Sequence, residues 1–473
     1  MELIQLSLSP NQFQRLPQNR PLWLSLTIPW QDVDFLALLQ VVAERPRFYW
    51  DSRAHPVSLV SWGEAAVVTD WGVRRFHDLQ AQVEHLSTRY YPINPEAPLE
   101  AGPRWIGGFS FLPLTSEDLL WRAFPDAYFV LPRLQLARLD EQVWLTLNYM
   151  VEQAPDPSEL EAYFNSNITE LFNLQELVAR QTSPFAEEVT SERLQPQITA
   201  GVSRQTWQGM VEGALECISQ DEFKKVVLAR TLNVKFSQPA PVIDILDKLA
   251  TRYPDCYRFM IEPKPGQAFL GASPELLAEV RAPLFHTTAL AGTVRRGNTQ
   301  EEDEQLGQFL LSNPKDHQEH EIVINAIREN LASLAESLEV APVPKLRVLG
   351  NLMHLETPFQ GRLRRGWGVL DVAAALHPTP ALGGWPRQAA QAYLAEAEPF
   401  ERGWYAAPVG WVDPWGNGIF AVAIRSGIIN NQSATLFAGA GIVADSNPAN
   451  EWDETGLKFK PMVEALGGAL PNG

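Results

Sequence analysis

Two acidic residues, Glu451 and Glu454, stand three positions apart, shortly after an apolar run with alternating glycines at 437–443. Residues at i and i+3 share one face of a helix, so we expect the two carboxylates to lie side by side. The glycines lack a Cβ, which lets main-chain N–H groups approach a ligand closely. This combination predicts a small anion bound beside a metal ion.

The same helix face continues through Lys458 and Met462. On spacing alone, an exposed Glu454–Lys458 pair worth a few tenths of a kcal/mol is the more common arrangement. The glycines just upstream favour a binding site instead. The candidate ligands are carboxylates without clustered cysteine or histidine, which suits Mg²⁺ better than Zn²⁺.

Lys225 and Glu275 are candidates for a base and an acid. Lys225 opens an apolar segment at 225–230 and would share a strand face with small residues. A lysine withdrawn from water loses proton affinity and can act as a base, although a lysine extending to solvent is the more common outcome. Glu275 follows small residues and Pro274. Burial would make it a proton donor, whereas an exposed turn acid is the default.

A long helix is predicted at 316–338, with Glu319 near its start. Its apolar stripe consists of Val323, Ile327, Leu331, Leu334 and Leu338. Glu319 continues this stripe by one turn, and an inward carboxylate is costly unless it is paired or bound to a metal. The adjacent His320 lies off the stripe, and we expect it to make a structural hydrogen bond.

Two further residues are candidate ligand contacts. Arg425 is a lone arginine among apolar strand residues, and such a residue usually forks onto a carboxylate of the protein or of a ligand. His354 could orient a ligand or satisfy a backbone carbonyl. The glycines at 439–441 do not form a dinucleotide fingerprint, and we find no P-loop, nucleophile elbow or zinc pattern.

The elements that position these residues indicate an α+β fold. Alternating patterns predict mostly strands in residues 1–150, including 57–62 and 143–148. Further strands are predicted near 224–236, 268–281, 407–412, 418–427 and 434–443. Helices are predicted near 76–88, 158–180 and 204–220, with a last helix from about 450 that Pro461 should kink or end.

A polar segment from 181 to about 201 divides the chain into a strand-rich half at 1–195 and a second half at 196–473. We expect the two halves to form one compact unit with helices outside the sheets. No short-period repeat is present.

Composition excludes several classes of function. The 38 basic and 56 acidic residues give a net charge of −18, which disfavours nonspecific binding to nucleic acid or an acidic membrane. The two cysteines cannot form a multi-disulfide framework, and we expect free thiols. Without a signal-peptide pattern or a transmembrane-length apolar run, we expect a cytoplasmic protein that is a monomer or a weak homo-oligomer.

Taken in order, these motifs resemble the chorismate-utilising enzymes, which include isochorismate, salicylate, anthranilate and aminodeoxychorismate synthases. The resemblance is specific from about 204 to 466 and looser in the N-terminal half, at 48–50 and 106–111. The segments that carry it are 225–230, 271–275, 290–293, 315–316, 319–321, 377–381, 437–443 and 451–456.

The resemblance implies a role for each candidate residue. Glu319 and Glu454 would bind Mg²⁺ with Glu451 beside them, Lys225 would activate water, and Glu275 would protonate a leaving hydroxyl. The residues implied in substrate binding are Arg425, Lys458, Gly292, Gly439 and His354.

Lys225 and the segment 377–381 resemble the water-using branch of the family, which implies Mg²⁺-dependent conversion of chorismate to isochorismate, feeding quinone (menaquinone or phylloquinone) biosynthesis. Salicylate synthase, which would add pyruvate elimination, and an amine-forming enzyme stay open. So do a siderophore or salicylate pathway and a noncatalytic chorismate-binding protein. Glu356 stands where many relatives carry a small or uncharged residue, and a carboxyl there could alter the product or could simply point away from the ring.

Overall fold

A computed structural model describes residues 16–17, 20–114, 119–181, 196–350 and 352–471. Within these residues, twenty-one strands are joined by hydrogen bonds into one sheet system, and ten α-helices accompany them. The predicted α+β class is therefore confirmed.

Strands are the main component of both predicted halves. They are β1 (Leu22–Trp30), β2 (Arg47–Asp51), β3 (Val57–Asp70), β4 (Tyr90–Pro92), β5 (Trp105–Phe109), β6 (Ala127–Leu139), β7 (Gln142–Val151), β8 (Gln197–Ala200), β9 (Lys225–Lys235), β10 (Tyr257–Lys264), β11 (Gln267–Ser273), β12 (Leu276–Arg281), β13 (Leu284–Arg295), β14 (Ala335–Val340), β15 (Lys345–Val348), β16 (Leu352–Leu363), β17 (Gly384–Trp385), β18 (Pro408–Val412), β19 (Gly418–Val422), β20 (Ser426–Asn430) and β21 (Ser433–Ile442). The helices are α1 (Phe35–Val41), α2 (Arg75–Ser87), α3 (Pro157–Gln181), α4 (Arg204–Ser219), α5 (Val242–Arg252), α6 (Gln300–Ser312), α7 (Pro314–Leu331), α8 (Val369–Leu376), α9 (Arg387–Ala397) and α10 (Pro448–Ala465).

The predicted helix 316–338 is wrong in its second part. Helix α7 ends at Leu331, and β14 follows as a strand that pairs with β16. Leu338 therefore lies on a strand rather than on the helical stripe. The leucine spacing fits a helix, but pairing with a neighbouring strand decides the local structure.

Three other boundaries also differ from expectation. The stretches 268–281 and 418–427, each predicted as one strand, are two strands each. Helix α10 continues through Pro461 instead of ending there. The residues on either side, Phe459 and Met462, are buried, so packing against the core holds this part of the helix in place.

A long antiparallel ladder organises the strands. Its order is β16, β13, β12, β19, β18, β5, β6, β3, β2, β10, β11, β20, β21 and β9. Both ends of the ladder come from the second half of the chain, while its middle comes from the first half. The catalytic candidates of the second half therefore depend on strands of the first half for their relative placement.

The hydrophobic core extends across the predicted boundary near residue 195. One large apolar cluster contains both Trp105 and Phe420, and a second contains both Leu24 and Leu436. Division into halves remains a prediction, and residues 182–195 of the proposed boundary lie outside the described residues.

Two other expectations can be compared with the structure. Cys217 and Cys256 are both free thiols, as expected. Among the described helices, none combines the length and the apolar character needed to cross a membrane.

Candidate active site

A cavity of about 290 Å³ lies where the two ends of the ladder approach each other. Strands β9 and β21 line it from one end, β13 and β16 line it from the other, and α7 and α10 add charged side chains. Every predicted site residue except Lys225 lines this cavity: Glu275, Gly292, Glu319, His354, Arg425, Gly439, Glu451, Glu454 and Lys458. Lys225 joins them through a direct contact with Glu319.

Glu275 and Arg425 lie in two adjacent connections between strands, β11–β12 and β19–β20. Strands β11 and β20 pair with each other, as do β12 and β19, so the connections β11–β12 and β19–β20 pass side by side between the two arms of the ladder. Each of these connections places one of the predicted site residues in the cavity. Arg425 has a φ of 51°, in the left-handed region that costs energy for a residue with a Cβ.

Glu275 is 4% exposed. Desolvation raises its pKa to about 8, although the positive charges of Arg425 and Lys225 act in the opposite direction. The carboxyl is therefore mostly protonated at neutral pH and can donate a proton into the cavity.

Lys225 opens β9 and is 1% exposed, so the expectation that it extends to solvent is wrong. Its Nζ donates to Glu319 Oε1 at 2.7 Å. Desolvation alone would raise the pKa of Glu319, but the ammonium groups of Lys225, Lys458 and Lys315 outweigh it and hold that pKa below its ordinary value.

Gly441 makes room for this pair. A Cβ at position 441 would lie 3.0 Å from Lys225 Cε and 3.3 Å from Glu319 Oε1. The glycine here is therefore needed for the close approach of two side chains. This use differs from the predicted approach of main-chain N–H groups to an anion.

Helix α10 brings the second acidic pair to the cavity. Asn447 caps its first turn by accepting from the N–H groups of Ala449 and Asn450, and Glu451 and Glu454 follow on the face that lines the cavity. Lys458 Nζ lies 2.6 Å from Glu454 Oε1 and donates to the Gly439 carbonyl at 2.9 Å. The Glu454–Lys458 pair therefore belongs to the site rather than to an exposed face.

The cavity holds more carboxylates than its lysines neutralise. Desolvation and the neighbouring Glu454 raise the pKa of Glu451 to about 7. Desolvation and Glu319 likewise raise the pKa of Asp316, which lines the same cavity. Four carboxyl groups of this kind form a donor set that fits a hard cation.

Two of these acids already form ion pairs with lysines. Among the described residues, no three histidine, cysteine or acidic side chains are already gathered at metal-binding distances. Glu319 and Glu454 contact Lys225 and Lys458 instead. A cation held by these acids would compete with both ion pairs.

His354 and Gly292 meet at a bulge between β13 and β16. The register shifts between Ala291 and Thr293, where Gly292 has a φ of 73°. His354 Nδ1 lies 3.1 Å from the Gly292 carbonyl and thereby satisfies it. Desolvation lowers the pKa of His354 to about 3, so the ring is neutral, and its buried Nε2 has no partner among the described residues. An acceptor nitrogen is therefore left for a ligand.

The family model described as "Chorismate binding enzyme" matches residues 11–467. This is nearly the whole chain. The chain belongs to the chorismate-binding enzyme family.

Two full-length relatives of this chorismate-binding enzyme are isochorismate synthases by name. The salicylate biosynthesis isochorismate synthase of Pseudomonas aeruginosa is 37% identical over 445 residues, covering 92% of this chain and 89% of the relative. Isochorismate synthase MenF of Bacillus subtilis is 36% identical over 430 residues, covering 89% and 88%.

Solved structures agree with this assignment. MenF, the menaquinone-specific isochorismate synthase from Escherichia coli, superposes with a TM-score of 0.75 at 26% identity, covering 96% of this chain and 97% of that one. Anthranilate synthase component I from Streptococcus pneumoniae superposes with a TM-score of 0.67 at 24% identity, covering 87% and 93%, which indicates a shared fold alone. The predicted resemblance is confirmed at the level of family and fold.

The sequence did not single out two further lining residues of this chorismate-binding enzyme, Asp316 and Tyr405. Asp316 precedes Glu319 by three positions, so the spacing rule used for the α10 acids could have found it. Tyr405 lies in a loop without a comparable signal. Glu356 is not among the lining residues, and its cross-strand neighbour on β15 is Lys345.

Proposed function

We propose that this protein is an isochorismate synthase, an isomerase that converts chorismate to isochorismate with Mg²⁺. The observation that carries the proposal is the buried carboxyl of Glu275, with its pKa of about 8, in the same cavity as the Lys225–Glu319 pair. An acid that keeps its proton at neutral pH, close to an amine, matches a reaction that needs both.

The reaction adds water and expels hydroxide, and each step requires proton transfer. Water is a weak nucleophile, so Lys225 in its neutral amine form would accept its proton as the new C2–O bond forms. Hydroxide is a poor leaving group, so Glu275 would protonate the C4 hydroxyl as its bond breaks and it departs as water. Both double bonds of the ring diene shift as C2 gains an oxygen and C4 loses one, and atoms balance because one water enters and one leaves.

The remaining charged groups would bind the substrate dianion. Arg425 and Lys458 supply positive charge at the cavity wall for the carboxylates, and the neutral His354 offers Nε2 as an acceptor for a hydroxyl of the substrate. Glu319, Glu454 and Glu451 would hold the metal. When bound, Mg²⁺ would supply positive charge for the ring carboxylate of chorismate, which an acidic protein would otherwise repel.

Product identification tests the proposal. Purified protein with chorismate and Mg²⁺ should yield isochorismate by chromatography, a chelator should stop turnover, and added Mg²⁺ should restore it. Release of pyruvate would indicate a salicylate synthase. Anthranilate or aminodeoxychorismate as the sole product on addition of ammonia would overturn the assignment, and unchanged chorismate would favour a binding protein.

A pair of adjacent lysines provides a control for the base. Lys225→Ala should lower kcat by about a hundredfold or more, because a positioned base contributes that much. Lys224→Ala should retain activity, since Lys224 is 62% exposed and paired with Asp221 on the surface. Full activity of folded Lys225→Ala would remove Lys225 from the mechanism.

The pathway that consumes the product stays a prediction. The two relatives compared above have nearly equal identity to this chain but different names. One is named for salicylate biosynthesis, and the other is named MenF. Quinone biosynthesis remains our expectation.

A further inference from the structure

Strand β9, which begins with Lys225, has a gap along one of its edges. On one edge it pairs with β21 over nearly its whole length. On the other edge it pairs with β17 at Lys225 and Val226, and with β8 from Leu232 onward. Among the described residues, no strand pairs with β9 between these two points. The backbone groups in the gap need other partners.

Main-chain groups serve the two ends of this gap, with the Val227 N–H donating to the Gly383 carbonyl and the Gly201 N–H donating to the Thr231 carbonyl, and two side chains serve its middle. Glu398 Oε1 accepts a hydrogen bond from the Ala229 N–H at 2.7 Å, and Arg402 Nη2 donates to the Val227 carbonyl at 2.5 Å. Arg402 Nε also donates to Glu398 Oε2 at 2.7 Å, and both side chains are 4% exposed. The ion pair thus replaces the hydrogen bonds of a missing neighbouring strand.

The same arginine also contacts the segment that runs beside β9 on this edge, where the Val227 N–H donates to the Gly383 carbonyl at 3.1 Å. Arg402 Nη1 donates to the Leu382 carbonyl at 2.9 Å, and its guanidinium lies 4.4 Å from the centre of the Phe111 ring. Val227 and Leu382 both line the cavity, whereas Glu398 and Arg402 do not. The pair therefore supports two adjacent lining segments from behind the cavity wall.

We propose that Glu398 and Arg402 are positioning residues that hold β9 against the segment ending at Leu382. Through Val227 they fix the strand that carries Lys225, two positions away. This inference rests on the proposed function, because the effect it predicts is on the turnover of chorismate. Loss of the pair should lower kcat and leave KM nearly unchanged, since the charged groups that bind the dianion stay in place.

A matched pair elsewhere in the fold separates positioning from stability. Glu262 is buried like Glu398, contacts Arg47, and accepts from the Gly266 N–H at 2.8 Å. Neither Glu262 nor Arg47 lines the cavity. Glu262→Gln and Glu398→Gln therefore remove the same kind of charge from the same kind of buried pair.

The experiment compares these two variants at a temperature where both are folded. Both should have a lower Tm than the wild type. Only Glu398→Gln should lower kcat, by at least about tenfold, with KM changed less than about threefold, because small misplacements of reacting groups are costly. Arg402→Lys, which keeps the charge but has fewer donors, should have an intermediate kcat.

Amide hydrogen exchange supplies a readout independent of catalysis. Exchange at Ala229 should be faster in Glu398→Gln and unchanged in Glu262→Gln. Equal kcat in the two variants, a rise in KM alone, or unchanged exchange at Ala229 would each overturn the inference. If the wild type does not convert chorismate, the proposed function fails, and Ala229 exchange still decides whether the pair holds β9.

Discussion

Burial determines the chemistry available to Glu275. The residue lies in a connection between the arms of the ladder and is removed from water, so its proton is retained well above the ordinary range of a carboxyl. The neighbouring Glu319 is also largely withdrawn from water, yet its pKa is lowered because lysines surround it. Two glutamates in one cavity therefore have opposite pKa shifts, which fits the roles proposed for them in proton donation and cation binding.

The first prediction concerns pH. Because Glu275 must be protonated to act, kcat/KM should fall above about pH 8, by about tenfold per pH unit. Stability gives a second measure. The pKa of Glu275 in the folded protein lies above its ordinary value of 4.5, so wild-type stability should decline as pH rises from about 4.5 to about 8, and Glu275→Gln should lack this decline. A kcat/KM that stays flat well above pH 8 would contradict the role.

The second prediction concerns Gly441. In Gly441→Ala the new methyl group would displace Lys225, and kcat should fall by about tenfold to a hundredfold with little change in Tm. Gly456→Ala is the control. A Cβ at position 456 meets no atom within 4 Å, so this variant should keep its activity and gain about 0.5–1 kcal/mol from helix propensity. Steady-state kinetics and thermal unfolding measure both, and equal kcat in the two variants would show that the space at 441 is not needed.

The sequence allowed individual site residues to be predicted, but not the contacts between them. Spacing predicted that Glu451 and Glu454 share a helix face, and resemblance to a family supplied Lys225 and Glu275. The Lys225–Glu319 contact joins residues 94 positions apart, so no local pattern encodes it. The space that Gly441 leaves for this contact could not be inferred without knowing that the contact exists. The glycine was therefore interpreted only as a site where main-chain N–H groups could approach a ligand.

At the scale of elements, helix α10 supplies three of the charged groups of the cavity, namely Glu451, Glu454 and Lys458. Its start is fixed by the Asn447 cap just after β21. Elements of this kind, with a clear cap and an amphipathic face, were predicted to within a few residues. The error at 316–338 arose because Leu334 and Leu338 satisfy helical spacing, while the strand at β14 is imposed by pairing with β16, a non-local interaction.

The third prediction follows from this cap. Asn447→Ala should cost about 1 kcal/mol and should raise the Mg²⁺ concentration needed for half-maximal activity, because the first turn of α10 carries Glu451. Ser203→Ala removes the corresponding cap of α4, where Ser203 Oγ accepts from the Thr206 N–H at 3.0 Å. It should lower stability similarly without affecting the Mg²⁺ requirement. A normal Mg²⁺ requirement in Asn447→Ala would separate the cap from the site.

At the scale of the whole molecule, the ladder and the core join the two predicted halves. Strand β2 of the first half pairs with β10 of the second, and the buried ion pair Arg47–Glu262 and the partly buried ion pair Arg258–Asp51 cross the same boundary. The alternating patterns predicted the class of fold. They could not predict the order of strands in the ladder, because alternation identifies a strand but not its neighbour.

The fourth prediction concerns cooperativity. With both apolar clusters shared between the halves, thermal unfolding followed by circular dichroism and by tryptophan fluorescence should give one coincident transition. The tryptophans lie in both halves, for example Trp23 and Trp404, so fluorescence reports on each. Two separated transitions would instead indicate independent domains divided near residue 195.

Strands β9 and β21 are neighbours in space, and Arg230 on β9 donates to Thr455 on α10 across 225 positions of sequence. During translation, Lys225 emerges long before Glu451 and Glu454, the carboxylates of α10 that line the same site. The last acids of the cavity are therefore added only near the end of synthesis, together with the α10 side chains that complete the second apolar cluster. Premature termination or proteolytic clipping ahead of α10 would therefore remove charged residues of the cavity and part of the core at once, and should abolish turnover.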